Sequence, residues 1–335
     1  METELLPTHT PALFAQAVER AAALLRAGEV VAVPTETVYG LAALATRPEA
    51  VRRLFAVKGR PAANPVIVHV ADLALARACV SAWPPAAEVL AQAFWPGPLT
   101  LVLPRAPGIP PEVTAGGPTV GIRWPRHPFI QALIRACGTP LAAPSANVST
   151  ALSPTEAAHV LQSLGGRIPA VVDGGPCPVG IESTVLDLTT QPPRILRPGM
   201  VHAGALAAVV GEVQTAGPAD APGPWRSPGL LAKHYAPRAR LRVLTWQDEA
   251  DLRRQVAALG EDPGRTFVLV HGCIPAPGGW GGVSVIPQEA EAFARALYAE
   301  LHRCDERGAA AIVVEAVPET PEWAAVADRL RRAAS

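Results

Sequence analysis

Three polar side chains in the stretch KGRPAANP (Lys58, Arg60 and Asn64) have the types and spacing to meet a polyphosphate. A lysine ammonium is a compact point charge and an arginine guanidinium is a planar fork. The two together are a common way to hold phosphate oxygens. Pro61 and Pro65 fix backbone angles around the asparagine, so this loop loses little entropy on meeting a ligand. A solvated surface turn is the other reading of the same residues. Of 29 basic residues only Lys58 and Lys233 are lysines, and Lys233 lies in a second loop, SPGLLAKHYAP.

Further polar clusters follow short apolar runs. PTETVYG sets Thr35, Glu36, Thr37 and Tyr39 directly after a strand signal. In open α/β sheets ligands gather outside strand ends, although a helix-capping turn would use some of the same hydroxyls. His69 sits inside the apolar run VIVHV and reads first as a hydrogen-bonded core histidine. Arg123, in TVGIRWPRHP, has no acidic neighbour along the chain. It suits a carboxylate or phosphate, with a plain surface ion pair as the alternative. APSANVST supplies Ser145, Asn147 and Ser149 in a nest-like turn suited to anions. A serine nucleophile is set aside because no partnered His or Asp is visible nearby. GIESTVLD adds Ser183, and ILRPG adds Arg197. This inventory fits nucleotide chemistry run by positioning and electrostatics.

The elements that must position these groups alternate. Helical spacing covers 11–27, 48–57, 86–94, 128–136 and 154–164, and strand signals fall at 30–33, 66–70, 99–103, 119–123, 140–143, 169–172 and 183–188. An α/β (mixed α+β) fold follows, a twisted open mixed sheet flanked by helices. Residues 1–212 form the first domain, and the Pro/Gly-rich stretch 213–238 reads as a linker. Residues 239–335 form a small Rossmann-like α/β domain, with strands at 240–245, 266–271, 283–286 and 311–317 and helices at 248–259, 289–306 and 321–333. No GxGxxG follows its first strand, and GGWGG at 278–282 reads as a flexible turn.

Composition bounds the function. The 29 basic and 29 acidic residues cancel, which excludes a uniformly basic nucleic-acid coat but not a local basic cleft. Five scattered cysteines show no metal-ligand spacing and no disulfide framework. With no signal pattern and no apolar run near 18 residues, a cytoplasmic protein without membrane contact is expected.

PTETVYGLAA, KGRPAANPVIVHV, FWPGPLTLVL, VGIRWPRHP, APSAN, VDGG, ESTVLD and ILRPG occur in this order over residues 10–205. The ordered set resembles the YrdC-domain threonylcarbamoyl-AMP synthases, in the long form with an extra C-terminal domain. The resemblance implies a nucleotidyltransferase that makes L-threonylcarbamoyladenylate from L-threonine, bicarbonate or CO2, and ATP, for N6-threonylcarbamoyladenosine in tRNA. It implies Lys58 and Arg60 as catalytic groups. ATP would be held by Lys58, Arg60, Asn64, Thr119, Ser145, Asn147, Ser149, Arg197, Ser227, His234 and Tyr235. Threonine would meet Thr37, His69, Arg123, Ala143 and Ser183. Mg2+ would come with ATP, with no purely protein-held metal. Downstream partners would be the tRNA threonylcarbamoyl transferase machinery, with a weak tRNA contact. The rival from another class is an RNA-binding module without adenylating activity, which the zero net charge disfavours. Two departures stand out: Thr150 where the family usually has glycine, and Leu230, Leu231 and Ala232 where it usually has polar linker residues.

Overall fold

The computed structural model describes residues 2–215 and 234–335. Residues 2–149 and 153–215 form one compact unit, and residues 150–152 with 234–335 form the other.

The first unit contains strands β1 (Glu4–Pro7), β2 (Val31–Val33), β3 (Gly40–Leu44), β4 (Val68–His69), β5 (Leu99–Pro104), β6 (Thr119–Arg123), β7 (Leu141–Ala142), β8 (Ala170–Asp173), β9 (Thr184–Asp187), β10 (Arg194–Arg197) and β11 (Gln214–Thr215). Its helices are α1 (Pro11–Arg26), α2 (Pro48–Lys58), α3 (Leu73–Ala78), α4 (Pro85–Phe94), α5 (Pro128–Cys137), α6 (Ala157–Leu164) and α7 (Ala203–Val210). The strands make one 11-stranded sheet in the order β1-β8-β2-β3-β7-β4-β6-β5-β9-β10-β11. Because β11 pairs with β10, this sheet runs past residue 212, the expected edge of the domain.

Alternation along the strands explains the layers. Successive side chains of a strand point to opposite faces. Ala32, Leu41 and Ala43 therefore join Val68, Leu101 and Ile122 in one core. Val31, Val33, Ala42 and Leu44 join Ala21, Leu25, Phe129 and Leu133 of α1 and α5 in the other. Helix α1 starts where Thr10 accepts the Leu13 amide at 3.2 Å and Pro11 pre-sets the first turn.

The second unit contains β12 (Arg240–Leu244), β13 (Thr266–Val270), β14 (Gly282–Val285) and β15 (Ala311–Glu315), with α8 (Glu249–Ala258), α9 (Ala290–Glu306) and α10 (Ala324–Ala333). Its four strands are all parallel, in the order β12-β15-β13-β14. Among the described residues no helix is long and apolar enough to cross a membrane.

The sheet of the first unit differs from a doubly wound one. β2 is antiparallel to β3, β3 to β7 and β7 to β4, whereas β4 and β6 are parallel. The carboxyl ends of β2 and β7 therefore point opposite to those of β4 and β6.

Candidate active site

The strand β2 delivers PTETVYG into a tight turn. Thr35 Oγ1 accepts the amides of Thr37 and Val38 and donates to the Val38 carbonyl at 2.7 Å. This hydroxyl-closed turn is the local reason the four polar residues stay ordered. The Val179 amide donates to the Glu36 carbonyl at 2.8 Å and the Gly180 amide to the Thr37 carbonyl at 3.1 Å. Thr35, Glu36, Thr37 and Tyr39 are all buried.

Arg123 ends β6 and sends its guanidinium into this turn. Nη1 donates to Thr37 Oγ1 at 2.9 Å and Nε to the Gly97 carbonyl at 3.2 Å. Nη2 lies 2.7 Å from Glu36 Oε1, with the two side chains 4% and 5% exposed. Arg123 thus has a buried acidic partner that its sequence neighbours did not reveal. Burial raises the Glu36 pKa, but the Arg123 charge beside it outweighs that and holds the carboxyl below its usual range.

His69 pairs with Arg123 in the β4–β6 ladder. It is buried, and its Nδ1 has no hydrogen-bond partner. Burial, followed by the Arg123 charge, pushes its pKa down to about 3, so the ring is neutral at pH 7. Ala143 lies alongside, its amide donating to the Ile67 carbonyl at 3.1 Å.

The second cluster forms around α2. Lys58 is the last residue of that helix, not part of a loop, and Gly59 stops the helix in the left-handed region at φ 59°. The Lys58 side chain is buried. Its ammonium donates to the Ser145 carbonyl, to the Asn147 carbonyl at 2.5 Å and to Asn147 Oδ1 at 3.5 Å. In return the Lys58 carbonyl accepts the Ser149 amide at 2.9 Å. Burial, then the nearby Arg60 charge, push the Lys58 pKa well below that of an ordinary lysine. The lysine thus ties down the APSAN turn. Ser149 Oγ is buried there without a partner.

Arg60 shapes its own loop. Its Nε donates to the Asn64 carbonyl at 3.0 Å, and Nη2 to Asn64 Oδ1 at 2.6 Å and to the Pro65 carbonyl at 2.7 Å. Asn64 Nδ2 is buried with no acceptor. Thr119 opens β6 and, with Pro65, Thr100 and Val185, lines a small cavity. A side chain at Gly121 would meet Thr100 Cγ2 at 3.2 Å and Ile67 Cγ1 at 3.6 Å, so glycine keeps that space open.

Ser183 joins a third group. Its Oγ lies 2.8 Å from Thr100 Oγ1 and accepts from Arg197 Nη2 at 3.1 Å, while its carbonyl accepts Arg197 Nε at 3.1 Å. Thr37, His69 and Arg123 are therefore brought together, as are Lys58, Ser145, Asn147 and Ser149. Ser183 is committed to Arg197 and Thr100. His234 and Tyr235 belong to the second unit. There Tyr235 stacks under the Arg329 guanidinium at 5.1 Å, and the His234 amide donates to the Arg332 carbonyl at 3.2 Å. Ser227 and Lys233 lie outside the described residues. Two contributors were missed among the expected site residues, Glu36 and Thr100. For Glu36 the signal was present, as one of four polar residues crowded after a strand.

Fold and geometry define a mixed-sheet α/β protein with buried cations, hydroxyls and amides set around its sheet. The Sua5/YciO/YrdC domain family, described as "Telomere recombination", matches residues 23–199. The family described as "Threonylcarbamoyl-AMP synthase, C-terminal domain" matches residues 201–335. Over 99% of this chain and 95% of its own length, the threonylcarbamoyl-AMP synthase of Bacillus subtilis is 40% identical. That of Pyrococcus abyssi is 39% identical over 93% of this chain and 92% of its own. The crystal structure of P. abyssi Sua5 complexed with L-threonine superposes with a TM-score of 0.90 at 36% identity, covering 100% of this chain and 98% of that one. The chain belongs to the threonylcarbamoyl-AMP synthase family, in its two-domain form.

Proposed function

We propose that this chain is an L-threonylcarbamoyladenylate synthase and, in reaction class, a nucleotidyltransferase. The amine of L-threonine, as its free base, attacks CO2 and releases a proton, which leaves a carbamate. A carbamate oxygen attacks the α-phosphorus of ATP, the bond to the bridging oxygen breaks, and pyrophosphate departs. The threonylcarbamoyl-AMP formed serves N6-threonylcarbamoyladenosine synthesis on tRNA in the cytoplasm, through a downstream transferase and with at most a weak direct tRNA contact.

The observation that carries this reading is the buried Arg123–Thr37 pair beside neutral His69 in a chain that matches threonylcarbamoyl-AMP synthases along its length. Arg123 receives the threonine carboxylate, and Thr37, His69, Ala143 and Ser183 surround the rest of the amino acid. Asn64, Thr119, Ser149 and Arg197 meet the nucleotide with Arg60, and Ser227, His234 and Tyr235 add to its binding. Lys58 acts at this site through the Ser145–Asn147 turn that it holds in place. Among the described residues no group of three or more His, Cys, Asp or Glu could hold a metal ion. Mg2+ enters as part of the MgATP substrate, on the nucleotide's phosphates. Incubation with ATP, bicarbonate and L-threonine should yield the adenylate by mass detection and none when threonine is left out. Equal ATP consumption in both reactions would refute the assignment.

A further inference from the structure

We propose that Glu36 is a specificity-determining residue that makes the amino-acid site accept a zwitterion and reject a simple carboxylate; this rests on the threonine reading above.

Four buried polar atoms at one place lack a well-aligned hydrogen bond: both carboxylate oxygens of Glu36, Nη2 of Arg123 and Nδ1 of His69. Orphaned buried polar atoms are rare in native proteins, and a cluster of them marks a place that a ligand completes. Glu36 Oε1 lies 2.7 Å from Arg123 Nη2, close enough for Coulomb attraction but off the line of a hydrogen bond. The pair therefore neutralises its charge without exhausting its hydrogen-bonding capacity.

The set is complementary to an α-amino acid. Arg123 Nη2 offers a donor to a carboxylate, and the Glu36 oxygens accept from an ammonium. Neutral His69 adds one nitrogen that the fold leaves unused. Together Glu36 and Arg123 carry no net charge. A neutral zwitterion enters without leaving an uncompensated charge in the low-dielectric interior, whereas a monoanion leaves one. The carboxylate is also held in place before any ligand arrives. Its backbone is clipped by the Val179 amide, and the adjoining turn is closed by Thr35. Arg123 keeps the carboxyl ionised against the effect of burial.

The test is calorimetric titration of the full chain with L-threonine and with β-hydroxybutanoate, which is threonine without its amine. Wild-type protein should favour threonine by about a hundredfold, the combined effect of a missing charge-assisted hydrogen bond and an uncompensated buried charge. Glu36→Gln should shrink that ratio by about tenfold or more, because Arg123 then offers a net positive site to the anion. ATP affinity should stay unchanged, which reports an intact fold. Glu36→Asp keeps the charge and should keep most of the ratio. A Glu36→Gln protein with the wild-type ratio overturns the inference, whether both affinities fall together or neither does. Should that variant fail to fold, a wild-type ratio near one, or a Glu36→Asp ratio near one, overturns it instead. Wild-type protein that binds no threonine refutes the threonine reading itself, and the inference with it.

Discussion

The two units are both α/β but use their buried carboxylates differently. At the carboxyl end of the second sheet, Glu315 accepts the three consecutive amides of His271, Gly272 and Cys273 at 2.7, 2.8 and 3.0 Å. The Trp246 indole donates to the Cys273 carbonyl at 2.9 Å, closing the same corner. On α10, Asp328 is shared among Arg329, Arg331 and Arg332. These polar groups are spent on one another. In the first unit, Glu36, His69, Asn64 and Ser149 keep buried atoms without an aligned partner. Similar layers thus serve two ends: the second unit spends these carboxylates on its own amides and guanidinium groups, and the first gathers several buried polar atoms without an aligned partner around one turn.

Substitutions can break or sharpen this contrast. The largest effect is expected for Arg123→Ala, which strands the Glu36 carboxylate. Denaturant unfolding should show a loss of about 3–5 kcal/mol, with threonine-dependent pyrophosphate release falling below detection. Next comes Lys58→Ala, which leaves the Ser145 and Asn147 carbonyls without their donor. It should cost about 3 kcal/mol and abolish threonine-dependent pyrophosphate release; near-wild-type turnover would remove Lys58 from the site.

Acid should separate the units by window. The folded His69 pKa lies below the unfolded value, so the unfolded chain takes up a proton first. Stability should fall as pH drops below about 6.5 toward 3, by at most about 1.4 kcal/mol per unit, and His69→Gln should flatten that limb. The Glu315 pKa is also lowered: burial raises it, and the three backbone amides more than reverse that. Its contribution should persist above the usual carboxylate pKa and disappear as pH falls through the lower, folded value. Glu315→Gln should cost about 2 kcal/mol at pH 7 and leave pyrophosphate release unchanged, because neither Glu315 nor the amides it accepts belong to the proposed site. The smallest effect is Thr150→Gly. Thr150 holds φ at 73°, in the left-handed region that a β-branched residue avoids. Relief of that strain should stabilise the protein by about 1 kcal/mol in thermal unfolding.

Much of this was legible along the chain. The helix expected at 128–136 is Pro128–Cys137, and the strand at 119–123 is Thr119–Arg123, because their apolar periodicities are clean. The pattern over the second domain likewise yields four strands and three α-helices near the expected places. The strand Gly40–Leu44 was absorbed into the polar-rich PTETVYGLAA stretch. The expected strand at 66–70 shrinks to Val68–His69, since the ladder there is short although the apolar run is long.

For the site, residue types gave the inventory, and partners were beyond reach. Arg123 and Glu36 stand far apart in sequence, and only the β4–β6 ladder and the Thr35 turn bring them to 2.7 Å. Lys58 reads as an anion binder from its type, yet the fold commits its ammonium to main-chain oxygens. The amino-acid order by itself determined which segments form the layers and which polar side chains gather near strand boundaries, because period and turn chemistry are local. Tertiary structure alone decided which of those side chains neutralise one another and which stay unsatisfied, because both depend on distance and dielectric between residues that the chain keeps far apart.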